Sequence, residues 1–315
     1  MPSIFYNEPA MLEPTREPPT AECVVQTRAL RKVFRDFWGR PRTEAVAGLH
    51  LDVFRGEVFG LLGPNGSGKS TTIKLLLGLL HPTSGEARVL GGSPRDVRRK
   101  ARIGYLPEES HFYPHLSAEE LLWFFGRIFS LPASEIRRKV GELLGLVGLD
   151  TARKKRIGEF SKGMLRRIGI AQALINDPEL LILDEPTAGL DPMGARDVKS
   201  LLRDLKRRGK TVILSSHLLG EVEDVCGRVA ILHEGKLQAL GDIATLLCDD
   251  TRTQIVTDNL SPPTLEALVA FLREKEGPTL QVRVGKAPTR LEDFFLRTVG
   301  GKGSAPEEPK SSQDR

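Results

Sequence analysis

Residues 63–70 read GPNGSGKS and match the phosphate-binding P-loop pattern G-x-x-x-x-G-K-[ST] at every fixed position. The apolar run 58–62 precedes the loop and the apolar helical pattern 73–80 follows it, so the loop joins a predicted strand to a predicted helix. Glycines let backbone N–H groups turn towards phosphate oxygens, and the helix dipole favours the same charge. The pattern predicts that Lys69 reaches the β- and γ-phosphates of a nucleoside triphosphate and that Ser70 binds Mg²⁺. A glycine-rich turn without a ligand is the alternative, and the flanking strand and helix count against it.

Composition limits the class of protein. At 315 residues the chain is long enough for one large domain or two ordinary ones. No run approaches the roughly 18 apolar residues of a membrane-spanning helix, and residues 1–20 carry prolines and acids where a signal peptide is apolar. We therefore expect a cytoplasmic protein. Three widely spaced cysteines predict reduced thiols rather than a disulfide framework or a zinc site.

The net charge of +5 is modest for this length. The basic clusters 95–102 and 153–156 lack the interleaved aromatic residues that stack on bases, so we expect no nucleic-acid partner. A solvated face is the expectation for these clusters, with contact to anionic lipid headgroups as the alternative.

Changes in composition divide the chain into segments. Residues 1–22 and 300–315 are polar and predict disordered tails. Between residues 23 and 245, strand-length apolar runs alternate with helical patterns, which is typical of an α/β domain with a mostly parallel sheet. Its most informative predicted strands are 57–62, 180–183 and 211–215. Residues 246–299 predict a small α+β domain without a chemical motif, with strands at 253–257 and 280–284, a helix carrying Leu265, Leu268 and Leu272, and a final helix carrying Leu291, Phe295 and Leu296.

Residues 108–163 have helical periodicity and no strand pattern, which predicts an inserted helical subdomain. Ser117 and Glu120 have the spacing of a capping box, after which Leu121, Phe125 and Ile128 recur on one helical face. A second helix, after Ser134, should bury Ile136, Val140, Leu143 and Leu144. The run 121–131 is rich in large apolar residues, so it is either additional core or a surface for a partner.

A second phosphate motif follows the strand 180–183, which ends in Asp184 and Glu185, the arrangement known as Walker B. Because side chains alternate along a strand, we expect the two carboxylates to point to different sides and to have different roles. Asp184 should hold Mg²⁺, and Glu185 should accept a proton from the water that attacks the γ-phosphate. The strand 211–215 leads to His217, which we predict to be a γ-phosphate sensor rather than a structural histidine.

Residues 160–164, Phe-Ser-Lys-Gly-Met, lie about 20 positions before Walker B and open an amphipathic helix. The order of P-loop, helical insertion, Ser-x-Gly helix start, Walker B and histidine strand resembles the nucleotide-binding domain of ATP-binding cassette (ABC) transporters. The resemblance covers residues 25–240. It implies an α/β P-loop NTPase core with a mostly parallel sheet, an antiparallel β subdomain and the helical insertion, and it implies ATP and Mg²⁺ as cofactors.

The resemblance also implies a head-to-tail dimer of two copies of this chain, with ATP at the interface. Ser161 and Gly163 would contact the γ-phosphate bound to the opposite copy, and Asp191 would tie the two sites together. Phe34 falls where the family has an aromatic residue that stacks on adenine, with Phe37 and Trp38 as competitors. The remaining ATP contacts would come from the P-loop and the next residue: Gly63, Pro64, Asn65, Gly66, Ser67, Gly68, Lys69, Ser70 and Thr71.

Two positions depart from the family pattern. Lys162 and Met164 replace a glycine and a glutamine of the family signature Leu-Ser-Gly-Gly-Gln. Glu108 stands where the family has a glutamine that links Mg²⁺ and the attacking water to the membrane partner. An ionised glutamate can bind Mg²⁺ or orient water but cannot donate a hydrogen bond, so we expect slower or differently coupled hydrolysis.

These departures, with the segment after residue 245, resemble the ATPase subunits of bacterial exporters. We expect an ATP hydrolase that associates with a separate transmembrane permease on the inner face of the cell membrane and drives export. Coupling would run through Glu108 and residues 121–131. A soluble ABC ATPase acting on ribosomes or DNA is the first alternative, although this chain has neither a second cassette nor a coiled coil. A nucleotide sensor with little turnover is the second alternative.

Overall fold

The computed structural model describes residues 22–247 and 262–276. The chain divides into two compact units, the first ending at Ile243 and the second beginning at Ala244. The nine strands within these ranges are β1 (Cys23–Arg35), β2 (Pro41–Phe54), β3 (Val58–Leu62), β4 (Ser84–Val89), β5 (Ile103–Leu106), β6 (Leu180–Leu183), β7 (Thr211–Ser216), β8 (Arg228–His233) and β9 (Lys236–Asp242). The helices are α1 (Lys69–Leu76), α2 (Val97–Lys100), α3 (Ala118–Ile128), α4 (Ala133–Leu146), α5 (Lys162–Leu174), α6 (Pro192–Arg207), α7 (Leu219–Glu223), α8 (Ile243–Leu246) and α9 (Pro262–Glu276).

The larger sheet has the strand order β5-β6-β7-β3-β8-β9. Its first five strands are parallel, and β9 pairs antiparallel with β8. Every residue of β3, β6 and β7 is buried, as expected for parallel strands covered on both faces. The predicted mostly parallel α/β sheet is confirmed, with the three informative strands at Val58–Leu62, Leu180–Leu183 and Thr211–Ser216.

A smaller antiparallel sheet with the order β2-β1-β4 forms the predicted β subdomain. Its inward residues share one hydrophobic core with the larger sheet and α1. Leu30 and Val53 of the small sheet belong to the same buried cluster as Phe59, Leu61 and Ile73. Burial of such side chains contributes about 1.5–3 kcal/mol each, so this core fixes the P-loop strand and helix against the small sheet.

The helices between β5 and β6 confirm the predicted helical stretch. The capping box of Ser117 and Glu120 begins α3, and α4 begins at Ala133 after Pro132 rather than after Ser134. Of the residues predicted on one helical face, Leu121 is buried, whereas Ile128 is 58% exposed. The buried stripe consists of Ala118, Leu121, Leu122 and Gly126, because α3 packs closely on α4 there: a Cβ on Gly126 would lie 2.8 Å from Cγ1 of Ile136.

In the second unit, the predicted helix with Leu265, Leu268 and Leu272 is found as α9, where Leu268 and Leu272 are half-buried. The predicted strands 253–257 and 280–284, the final helix and the tail 300–315 lie outside the described residues, as do residues 1–21. Among the described helices, none combines the length and the apolar character needed to cross a membrane.

Gly104 of β5 controls the distance between the sheet and α5. A Cβ there would lie 2.0 Å from the carbonyl oxygen of Ala173, whereas a Cβ on Gly141 of α4 meets no atom within 4 Å. We predict that Gly104→Ala lowers the free energy of unfolding by about 1–3 kcal/mol through overpacking. The control Gly141→Ala should raise it by about 0.5–1 kcal/mol, because alanine favours a helix interior. Denaturant titration of both variants measures this, and equal effects would contradict the close approach.

Candidate active site

The P-loop has a backbone that requires glycine. Gly63 and Gly68 have φ values of 151° and 104°. A Cβ on Gly63 would lie 2.2 Å from the carbonyl oxygen of Leu232, and a Cβ on Gly68 would lie 2.3 Å from that of Ala45. The loop is therefore held between β8 and β2 by contacts that admit no side chain. Gly66 has φ 80° with no atom within 4 Å of its Cβ position, so its outer side is open.

The loop and the start of α1 present unpaired donors. The backbone N–H groups of Gly66, Gly68, Lys69, Ser70 and Thr71 have no acceptor among the described residues. Ser67 Oγ is also buried in the loop without a partner. Buried polar groups of native proteins are rarely left unpaired, and this set of donors at a helix N-terminus suits phosphate oxygens. The residues present therefore fit the triphosphate of a nucleotide.

Lys69 and Glu185 form a buried ion pair beside the loop. Nζ of Lys69 lies 3.3 Å from Oε1 of Glu185, and the two side chains are 6% and 7% exposed. Nζ also donates to the carbonyl oxygens of Gly63 at 2.6 Å and Pro64 at 3.2 Å. The two carbonyl groups and the carboxylate together offset the cost of burying the charge.

Asp184 lies at the other side of the loop, near Ser70. Oδ1 of Asp184 accepts a hydrogen bond from Ser215 Oγ at 2.5 Å and lies 3.4 Å from Ser70 Oγ. A carboxylate and a hydroxyl beside a phosphate site are the oxygen ligands that Mg²⁺ prefers. Glu108, the third predicted metal ligand, is exposed and makes no hydrogen bond to Ser70 or Asp184.

The side chain of Glu185 joins the P-loop to β7. Its Oε2 lies 2.7 Å from Nδ1 of His217 while its Oε1 faces Lys69. Asp184 and Glu185 have different partners: Asp184 contacts Ser70 and Ser215, whereas Glu185 contacts Lys69 and His217. Strand alternation is not the cause, because β6 ends at Leu183 and Glu185 has φ 49°.

Three residues of the site were missed by sequence reasoning. Ser215 donates to Asp184 and accepts the backbone N–H of Glu185 at 2.9 Å. Burial, together with the charges of Asp184 and Glu108, raises the pKa of Tyr105 to about 12, so its phenol stays protonated near neutral pH. Arg166 is buried beneath the site. A detectable signal existed for Arg166, because Arg166, Gly169, Ile170 and Ala173 have the spacing of one buried helical face.

Two of the three residues predicted to act across a dimer cap helices in this chain. Ser161 is the N-cap of α5 and accepts the N–H of Met164 at 3.3 Å. Gly163 lies on an open surface, where a Cβ would meet its nearest atom at 3.9 Å. Asp191 caps α6 by accepting the N–H of Gly194 at 3.0 Å. Neither Ser161 nor Asp191 makes a side-chain hydrogen bond to the P-loop of its own chain.

Phe34 lies near the end of β1, is 39% exposed and has the ammonium of Lys32 at 5.3 Å from its ring centroid. Its two competitors for adenine lie on the turn between β1 and β2. Phe37 is 95% exposed and Trp38 is 79% exposed. Phe34 is thus the aromatic residue of the three that is held within the sheet.

Comparison with known proteins gives four concordant matches. The family model described as ABC transporter matches residues 46–188. An uncharacterised ABC transporter ATP-binding protein of Synechocystis sp. is 38% identical, with 91% of this chain and 88% of the relative covered. The Nod factor export ATP-binding protein I of Paraburkholderia xenovorans is 37% identical, covering 81% and 92%. A solved dimeric ATP-binding cassette in a post-hydrolysis state with ADP and Pi has a TM-score of 0.63 at 25% identity, covering 70% of this chain and 98% of that one.

We predict that Ser215→Ala weakens the magnesium site. The change removes the donor to Asp184 and leaves the buried N–H of Glu185 without an acceptor, which should cost about 1–3 kcal/mol of unfolding free energy. Nucleotide affinity is measured with Mg²⁺ and with EDTA, and the variant should lose most of the gain in affinity that Mg²⁺ provides. Ser216→Ala is the matched control, since the Ser216 hydroxyl hydrogen-bonds with the backbone of Leu218 and not with either carboxylate of the site. A Ser215→Ala variant with unchanged Mg²⁺ dependence would remove Ser215 from the site.

Proposed function

Because this chain belongs to the family of ABC transporter ATP-binding proteins, which are ATPases, we propose that it hydrolyses ATP with Glu185 as the general base and drives export through a separate transmembrane permease. The observation that carries the catalytic part is the placement of Glu185, whose carboxylate lies between Lys69 of the P-loop and His217 of the histidine strand. A carboxylate in this place is beside the γ-phosphate of any nucleotide that the P-loop holds.

ATP binding uses the donors at the start of α1. The free N–H groups of the P-loop bond the phosphate oxygens, and the dipole of α1 favours their charge. Lys69 can turn one of its N–H groups away from Pro64 or Glu185 and towards a phosphate oxygen. Its contacts with these two groups, at 3.2 and 3.3 Å, are longer than its 2.6 Å hydrogen bond to Gly63. Phe34 stacks on adenine. Ser70 and Asp184, with Glu108 as the third proposed ligand, would hold Mg²⁺, which would supply positive charge that neutralises the phosphates.

Hydrolysis transfers the γ-phosphoryl group to water. The water oxygen bonds to the γ-phosphorus as the bond from that phosphorus to the β-γ bridging oxygen breaks, and ADP leaves with that oxygen. Glu185 takes the proton of the attacking water. His217 holds Oε2 of Glu185, is 38% exposed, and can therefore respond to the γ-phosphate while it orients the base.

A second copy of this chain completes each site in the proposal. The first turn of α5, with Ser161 and Gly163, offers N–H donors at an open helix start, where the absence of a side chain on Gly163 leaves room for a phosphate. Asp191 lies at the start of α6, next to that surface, because a Cβ on Gly163 would lie 3.9 Å from Cα of Gly194. The dimeric solved relative with ADP and Pi supports this arrangement.

The permease is proposed to bind the exposed apolar part of the helical segment. Tyr113, Phe124 and Ile128 are 52%, 40% and 58% exposed, and the Tyr113 and Phe124 rings pack edge to face at 5.5 Å. An exposed apolar cluster of this kind is typical of a protein interface. The relative named for Nod factor export supports the export part of the proposal, and a permease partner would place this chain on the inner face of the cell membrane.

We predict that Glu185→Gln retains ATP binding and lowers kcat by roughly 10²–10⁴-fold, because the amide cannot accept the proton of water. The variant should also accumulate as an ATP-dependent dimer, measured by size-exclusion chromatography. Turnover at the wild-type rate would remove Glu185 from the role of base and leave a different group to be found.

The transport role is tested by purification from native membranes. The tagged chain should recover an integral membrane protein in stoichiometric amount, and Ile128→Glu should lose this protein while keeping ATP binding. Val97→Glu is the matched control, since Val97 is 77% exposed on α2. Recovery of ribosomes or DNA instead would favour a soluble ABC ATPase, and ATP binding without turnover or partner would favour a nucleotide sensor.

A further inference from the structure

Arg166 is an arginine buried beside the backbone of the candidate active site. It lies in the second turn of α5, is 8% exposed, and shares the buried face of that helix with Gly169, Ile170 and Ala173. Burying a guanidinium costs free energy unless its donors are satisfied. Its partners therefore indicate what the residue does.

The guanidinium of Arg166 joins two other segments to α5. Nη1 donates to the carbonyl oxygen of Pro107 at 2.7 Å, and Nη2 donates to that of Glu185 at 2.9 Å. Pro107 directly precedes Glu108. The planar fork of arginine can hold two carbonyl groups in a fixed relation, which a lysine cannot. Burial lowers the pKa of Arg166, whereas the charges of Glu108, Asp184 and Glu185 act in the opposite direction.

The peptide of Glu185 is held on both sides. Its N–H donates to Ser215 Oγ at 2.9 Å, and its carbonyl oxygen accepts from Arg166. Glu185 needs such support because its φ of 49° is uncommon for a residue with a side chain. Ser215 fixes this peptide to the sheet, and Arg166 fixes it to the helix that begins after Ser161.

We propose that Arg166 is a positioning residue that sets Glu185 and Glu108 relative to α5, so that a displacement of this helix changes the aim of the base. The inference rests on the role proposed for Glu185. It makes hydrolysis depend on the position of α5, whose first turn is the surface proposed to meet the second copy. Arg166 touches no substrate and acts only through the two carbonyl groups.

The test compares Arg166→Met and Arg166→Lys with Arg167→Met in the full chain. Arg167 is the matched control, because its guanidinium bonds Val147 and Asp197 and contacts no site residue. Arg166→Met should lower kcat by about 10- to 100-fold while the affinity for ATP stays within about twofold. Arg166→Lys should restore part of kcat, since an ammonium reaches one carbonyl group at a time. Arg167→Met should leave kcat near the wild-type value.

A double-mutant cycle with Glu185→Gln separates positioning from folding. If Arg166 acts through the base, Arg166→Met lowers the residual rate of Glu185→Gln little further, while its effect on unfolding remains. Additive rate losses, equal losses in Arg166→Met and Arg167→Met, or loss of ATP binding in both Arg166 variants would overturn the inference. If Glu185→Gln turns over normally, the proposed base fails; if it is inactive and Arg166→Met is fully active, only this inference fails.

The turn between β1 and β2 carries two exposed aromatic residues. Phe37 and Trp38, here called the aromatic tip, are exposed and pack edge to face at 5.6 Å. Asp36 fixes the turn, because its Oδ1 accepts the N–H groups of Trp38 at 2.9 Å and Arg40 at 2.8 Å. The aromatic tip is thus presented by an ordered turn rather than packed on the sheet.

The charges around the aromatic tip are basic. Arg35, Arg40 and Arg42 are exposed, and none has a carboxylate partner among the described residues. The acid of this turn, Asp36, directs its side chain at backbone N–H groups. Aromatic side chains with flanking arginines suit the interface of a membrane with anionic headgroups, where rings enter the headgroup layer and cations remain at the phosphates.

We infer that the aromatic tip docks on an anionic lipid surface, an inference that rests on the proposed work at a membrane. Trp38 and Trp123 are the two tryptophans of the chain, so a Trp123→Phe variant reports on Trp38 alone. Its fluorescence should shift to shorter wavelength with phosphatidylglycerol vesicles and not with pure phosphatidylcholine vesicles, and added salt should reverse the shift. Arg40→Ser with Arg42→Ser should weaken co-sedimentation, while Tyr113→Ser, at another exposed ring, should not.

An unchanged Trp38 emission with anionic vesicles would overturn this docking. A shift with single-stranded oligonucleotide but not with vesicles would overturn it in favour of a nucleic-acid surface. Vesicle binding is measured without a permease and without turnover, so its failure is distinguishable from a failure of the transport role.

Discussion

The parallel pairing of β6, β7 and β3 is the constraint on which the site depends. Leu183 pairs with Leu214, and Leu62 pairs with Ser216, so the carboxyl ends of all three strands reach one edge of the sheet. Each strand contributes a different group at that edge: the P-loop after β3, the two carboxylates after β6, and the serine and histidine at the end of β7. The order of the three strands is sufficient to bring these groups together. The site is therefore a consequence of strand order, and the glycines that admit the loop between β8 and β2 preserve it.

Buried charge at this edge is tolerated because every charged group is bonded to another member of the site. Lys69 is satisfied by two carbonyl groups and Glu185, and Arg166 by two carbonyl groups. Breaking a buried pair by removing one partner costs about 3–5 kcal/mol, whereas exchanging one partner for another costs far less. A phosphate oxygen that replaces Glu185 as the partner of the Lys69 ammonium is such an exchange. The same contacts that stabilise the buried lysine and carboxylate therefore prepare them for their proposed roles.

Most of the fold and the motif positions could be predicted from the sequence, because strand length, apolar runs and the P-loop pattern are local signals. What could not be predicted is tertiary. The spacing in residues 121–131 left open whether this run is core or a partner surface, and the structure turns the face of α3 that contains Gly126 towards α4. Strand alternation does not specify the direction of Glu185, because β6 ends at Leu183 and Glu185 has a positive φ. Ser215 and Arg166 act through backbone groups distant in sequence, and no spacing rule specifies which carbonyl group a buried arginine will reach.

The helix α5 connects the surface proposed to meet a second copy with the backbone of the candidate active site. At its start, Ser161 caps the surface proposed to meet a second copy; one turn later, Arg166 holds the backbone of Glu185; further along, Ala173 packs on Gly104 with no room for a methyl group. The helix is thus held close to β5 at Ala173 and to the peptide of Glu185 through Arg166, while its first turn is open. In the proposed dimer, contacts made at Ser161 would reach the peptide of Glu185 through Arg166, and Lys162 would change the strength of those contacts without changing this path.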